Sequence, residues 1–148
     1  MDTMTRYAMI VILAVAMLAA EWSPAYAGSG PVLPASATVT GVRGNARALY
    51  WNGAWRALRP GTSLSQGTLI KTGPDAAVSL QLNQDTVLLI IPETRLLLTK
   101  LETHPAANKE NYALSIQSGG MYCRAAFKDR ASRLVFHTPH ARVHVTGT

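Results

Sequence analysis

The chain is poor in the residues on which many small-protein chemistries depend. It has one cysteine, Cys123, in 148 residues. A single thiol excludes an internal disulfide framework and every CxxC zinc or redox motif. Charged residues make up 15% of the sequence, and aromatics 7%. With so little charge the chain is not expected to be disordered. Acids are scarcer than bases, 8 against 14, so the formal net charge of +6 is a dilute basic excess. The length allows one domain and excludes a large multidomain enzyme. The longest apolar run, residues 8–20, is short for a membrane span of ~20 residues.

That run has another reading. Arg6 precedes it, Pro24 breaks the segment after it, and Ala25 and Ala27 occupy the small-residue positions of an AxA cleavage site. This is the pattern of a secretory signal peptide spanning 1–27, crossing the membrane only transiently and cleaved after Ala27. No cysteine follows the apolar run, so a lipoprotein is not expected. Cleavage removes Arg6 together with Asp2 and Glu21, which leaves the mature chain slightly more basic. The expected location is periplasmic or secreted.

Residues 28–36, rich in Gly, Pro and Ser, read as a flexible leader to a domain over 37–148. In that domain, short runs of Val, Leu, Ile and Thr alternate with Gly, Pro, Asn and Asp clusters, and no helix is evident. This predicts an all-β fold, a sandwich or roll of short, mostly antiparallel strands. Period-two alternation assigns faces. Ala76, Val78, Leu80 and Leu82 share one face, as do Tyr112, Leu114 and Ile116. Ala141, Val143 and Val145 form a third set. Met121, Cys123, Ala125 and Phe127 form a fourth, which predicts a core position for the thiol. The run at 86–91, apolar at nearly every position, predicts a central strand buried on both faces. Asn52-Gly53 predicts a two-residue hairpin. Residues 102–111 read as the longest polar loop, and Lys128-Asp129-Arg130 as the tip of a hairpin returning through Leu134 to Thr138.

Catalytic constellations are missing. Asp75, Asp85 and Asp129 sit where turns favour Asp. No GxSxG elbow occurs, and no glycine-rich phosphate loop. His137, His140 and His144 lie close in sequence, but Pro139 interrupts them and neither carboxylate nor thiol completes a local ligand set. The expectation is a non-enzyme with no catalytic residue, no metal and no cofactor.

The basic residues gather at two places. Arg43, Arg47, Arg56 and Arg59 surround the hairpin bearing Tyr50, Trp51 and Trp55. Arg124, Lys128, Arg130 and Arg133 surround the second tip. Aromatics among arginines can stack on bases or sugars. Trp51, Trp55, Arg56, Arg59, Arg124, Lys128 and Arg130 are therefore the candidate binding residues. For an exported protein the partner expected is an envelope protein or polysaccharide, not nucleic acid.

A series of motifs runs through the domain: Val42-x-Gly44, Trp55-x-x-Leu58, Gly61-x-x-Leu64-x-x-Gly67, then Thr68 to Gly73 leading into the alternating Ala76 to Leu82. Later come Leu114-x-Ile116, Gly119 and Met121, then Phe136-His137-Thr138-Pro139 and Ala141-x-Val143-x-Val145-x-Gly147-Thr148. In order and spacing this resembles the FecR-type domain family. Thr68 stands where members often carry Asp, and Gln84-Asp85 where they often have Asp-Gly. The family pattern usually continues past Thr148, which implies a truncated form or a short last strand. The best-known relatives regulate iron-uptake transcription through a cytoplasmic anti-sigma segment. Seven residues before the apolar run are too few for one, so the resemblance implies a stand-alone exported domain. Its role would be to bind an envelope component, with a protein as the leading expectation, in sensing, signalling or scaffolding. The alternative is a module for glycan or an anionic envelope polymer such as peptidoglycan or lipopolysaccharide.

Overall fold

Apolar residues spaced two apart, separated by turn-forming clusters, give strands that each bury one face. The computed structural model describes residues 30–127 and 131–146, and these build two sheets around one core. The strands are β1 (Leu33–Pro34), β2 (Ala37–Arg43), β3 (Ala46–Leu49), β4 (Trp55–Ala57), β5 (Ser63–Leu64), β6 (Leu69–Thr72) and β7 (Ala77–Asn83). They continue as β8 (Thr86–Ile90), β9 (Arg95–His104), β10 (Lys109–Ser118), β11 (Met121–Arg124), β12 (Arg133–His137) and β13 (Arg142–Thr146). The larger sheet runs β13-β12-β10-β9-β6-β3-β4, with β1 also paired to β9. The smaller runs β11-β8-β7-β2-β5. Every pair is antiparallel except β10 with β12. The fold is the all-β, mostly antiparallel sandwich that the turn spacing predicts.

The core is aliphatic. Val39, Val78, Leu80, Leu88 and Ile90 from the smaller sheet face Ile70, Leu96, Leu98, Leu114 and Leu134 from the larger, all fully buried. The faces assigned by alternation at 76–82 and at 112–116 point inward. A buried threonine joint ties the sheets together. The Thr72 hydroxyl donates to Ile91 O at 2.8 Å and accepts from Thr94 N–H at 2.9 Å. The Thr94 hydroxyl in turn accepts from Gly120 N–H at 3.1 Å. Satisfied polar groups of this kind can sit inside a core at little cost.

Several sequence expectations need correction. Cys123 is exposed. Its alternation phase is inward, opposite buried Leu88, but β11 is the edge strand of the smaller sheet, where a side chain has a neighbouring strand on one side only. The strand at 86–91 is not buried on both faces, since Leu89 is 44% exposed on the outer side. Residues 102–111 are mostly strand: β9 and β10 pair as far as His104 and Lys109, and only a 3-10 turn at Pro105–Ala107 with Asn108 separates them. The strands flanking 128–130 are not partners in a hairpin, because β11 lies in the smaller sheet and β12 in the larger. The stretch read as a flexible leader is tied down in part. Leu33 and Pro34 pair with Thr103 and Glu102, and Ala35 N–H donates to Leu101 O at 3.0 Å.

The Asn52-Gly53 hairpin forms, with a longer loop than two residues. Gly53 N–H donates to Tyr50 O, and Tyr50 N–H to Ala54 O, so Trp51, Asn52 and Gly53 make the connection. Gly53 takes the left-handed position of that loop at φ 77°, as a three-residue hairpin requires. Among the described residues no helix is long and apolar enough to cross a membrane. The segment 1–27 and its cleavage site lie outside the described residues.

Candidate functional site: a basic groove on the larger sheet

The sequence of β6 places Ile70 and Thr72 inward, both buried, so Lys71 must point outward. The same alternation turns Arg47 outward from β3, between buried Ala46 and Ala48. It turns Arg95 outward at the start of β9, next to buried Leu96. Strand register then brings these three together. Arg47 pairs with Lys71, and Lys71 pairs with Arg95. Residues directly opposite in adjacent strands share a face, and neighbouring strands are ~4.8 Å apart. Three cations thus form a row across three strands. Among the described residues the one ion pair is Lys100 with Glu102 at 3.2 Å, so no carboxylate neutralises the row.

A parallel row of apolar side chains lies beside it. Trp55 pairs with Leu49, Leu49 with Leu69, and Leu69 with Leu97. Trp55 is 43% exposed. An open cavity of ≈ 440 Å³ is lined by Asn45, Arg47, Trp55, Lys71 and Gly73. It joins a half-exposed indole to two unpaired cations on one wall of the sheet.

The candidates named from the sequence scatter around this groove. Trp55 lies in it. Trp51 sits at the hairpin tip, 89% exposed. Arg56 projects from the opposite side of β4, with its guanidinium 5.5 Å from the Tyr50 ring centroid. Such a contact holds the arginine by its own hairpin, at about 0.5–1 kcal/mol for an exposed pair. Arg59 is exposed in the turn that precedes β5. Arg124 belongs to β11 in the other sheet, where with Val87, Leu89, Tyr122 and Cys123 it lines a shallow hollow. Lys128 and Arg130 lie outside the described residues. Sequence reasoning missed Lys71 and Arg95. Alternation gives the outward direction of each, but their meeting depends on pairing between distant segments.

One other place carries polar chemistry. Asn83, Gln84, Asp85, Asn108, Glu110, Ala126 and Ser132 surround a smaller hollow of ≈ 200 Å³. There Asn83 Nδ2 donates to Glu110 Oε2, and Glu110 N–H donates to Ser132 Oγ at 3.0 Å. Burial pushes the Tyr112 phenol well above its ordinary value, and the adjacent Glu110 carboxylate adds to the rise. The histidines do not converge. His137 Nδ1 accepts from Arg142 Nε at 3.3 Å, and His144 is paired with Val135. Among the described residues no three His, Cys, Asp or Glu side chains are grouped to hold a metal ion.

Comparison with known proteins gives one finding. A family model described as FecR protein matches residues 68–148. The matched segment begins one residue before β6 and contains β6 to β13. The strands β1 to β5 precede it, yet Ala37, Val39, Ala46, Ala48 and Leu64 from three of them belong to the same core cluster. No curated protein and no solved structure matches the chain.

Proposed function

The chain belongs to the FecR protein family, a family of signalling regulators, and we propose on that premise that it is an exported envelope module that binds a protein partner in sensing or signalling. It acts by binding and not by catalysis. The contact is strand addition along β13. One observation carries this reading: β13 is the longest open edge among the described strands. It has five residues and pairs only with β12. The other sheet edges, β4, β5 and β11, have three, two and four residues. Short edges resist added strands, whereas a longer free edge offers a template of unpaired N–H and C=O groups.

The ladder gives the geometry. Thr138 N–H donates to Ala141 O at 2.8 Å. Antiparallel pairs alternate between bonded and non-bonded, so Arg142, His144 and Thr146 turn their backbone groups away from β12. Val143, 49% exposed, supplies an apolar side-chain contact.

The test is a photo-crosslinking residue at Val143 in the exported chain, with Thr99 on interior strand β9 as the control position. A discrete protein adduct is expected from Val143 and not from Thr99. It should be lost in His144→Pro, which removes an outward N–H without touching the β12 ladder. Adducts that are equal at both positions, or unchanged by His144→Pro, would overturn the reading.

A further inference from the structure

We propose that the groove lined by Arg47, Lys71 and Trp55, with Arg95 continuing the cation row beside it, binds an acidic polysaccharide, with uronate carboxylates on the cation row and a sugar ring against the indole. The site lies at the β3-β4-β6 end of the larger sheet, away from β13 at the other end. It does not rest on the strand-addition reading.

Three observations favour this occupant. The first is uncompensated charge. Arg47, Lys71 and Arg95 stand directly opposite one another without an ion-pair partner. Like charges opposite each other in a sheet are destabilising, and an anion laid across them relieves the repulsion. The second is spacing. The cations repeat at the inter-strand distance of ~4.8 Å, which is of the order of one sugar unit, so an extended chain with one carboxylate per ring can meet successive strands. Arg47 and Arg95 can each take a carboxylate through two parallel N–H bonds. The third is the neighbouring surface. Trp55 presents a half-exposed indole in the same cavity as Arg47 and Lys71. A flat aromatic face beside cations suits a ring with an apolar face and an acidic substituent. An acidic peptide would use the cations but has no need of the indole.

The experiment is calorimetric titration of the full chain with polygalacturonate oligomers at low ionic strength, with dextran and poly-glutamate as comparison polymers. Polygalacturonate should bind and dextran should not. Losing one charged contact corresponds to roughly tenfold in affinity. Lys71→Gln with Arg95→Gln should therefore weaken binding at least about tenfold, and Lys71→Arg should retain it. Trp55→Ala should weaken polygalacturonate binding and leave any poly-glutamate binding unchanged. All substituted side chains are on the outer face, and melting curves of each variant verify the fold. The proposal is overturned if dextran binds equally well, if the double variant binds as the parent does, or if the parent does not bind polygalacturonate. It is also overturned if poly-glutamate binds as tightly and Trp55→Ala weakens neither polymer, an outcome that assigns the groove to an acidic polypeptide.

Discussion

Arg47 on β3 faces Lys71 on β6 directly across an antiparallel pair, both side chains outward and neither neutralised by an acid. The arrangement opposes folding, since like charges at such positions cost about 0.2–1 kcal/mol. Lys71→Gln should raise stability by that amount, measured by urea denaturation. Added salt should stabilise the parent and narrow the difference, because exposed charges are screened within ~10 Å at 0.1 M. A variant less stable than the parent at low salt would show that Lys71 has a stabilising contact.

Gly119 occupies a position closed to any side chain. Its φ is 77°, and an added Cβ would collide with Thr94 Oγ1 and lie 2.6 Å from Glu93 O. Thr94 is fully buried and bonded to both Thr72 and Gly120, so it cannot give way without opening the joint between the sheets. Gly119→Ala should cost about 2–4 kcal/mol from backbone strain and overpacking together. Gly53→Ala, also at positive φ but with open space around it, should cost nearer ~1 kcal/mol. Equal losses at the two sites would refute the packing argument.

Cys123 should react with thiol reagents in the folded protein, because it is exposed on edge strand β11. Partial burial pushes its thiol above the ordinary value. The rate of bromobimane labelling should therefore rise at higher pH than for a small free thiol, since the thiolate is the nucleophile. Reaction only after denaturation would return the residue to the core.

Alkaline pH should weaken the fold through Tyr112. Burial, with Glu110 second, raises its phenol above the unfolded value. The neutral form is then favoured by folding. The stabilisation is complete below the unfolded value of ~10 and is lost as pH rises from there toward the folded value. Tyr112→Phe should be less stable at pH 7 by about 1 kcal/mol, the net worth of a hydrogen bond. The deficit should shrink as pH rises past ~10, because only the parent loses the phenol's contribution there. A deficit constant from neutral to alkaline pH would exclude Tyr112 as the titrating group.

Much of this protein can be read from its sequence. A period of two is a local property, so it assigned the inward faces of Ala76 to Leu82 and of Tyr112 to Ile116 without knowledge of their partners. Turn chemistry is also local, and Asn52-Gly53 and Gln84-Asp85 both connect adjacent antiparallel strands. The ordered motifs from Val42 to Thr148 carried the family. Alternation gives a side chain's direction, but not what covers it. Cys123 points inward by phase and is nevertheless exposed, on a strand at the edge of its sheet. Nor does it give partners. β12 pairs parallel with β10 and not with β11, and Lys71 meets Arg47 and Arg95 across 24 residues on either side. The strands and their faces were thus determined by local spacing and turn residues. The basic groove was decided by tertiary structure alone, because strand register sums contacts between segments that no local pattern connects.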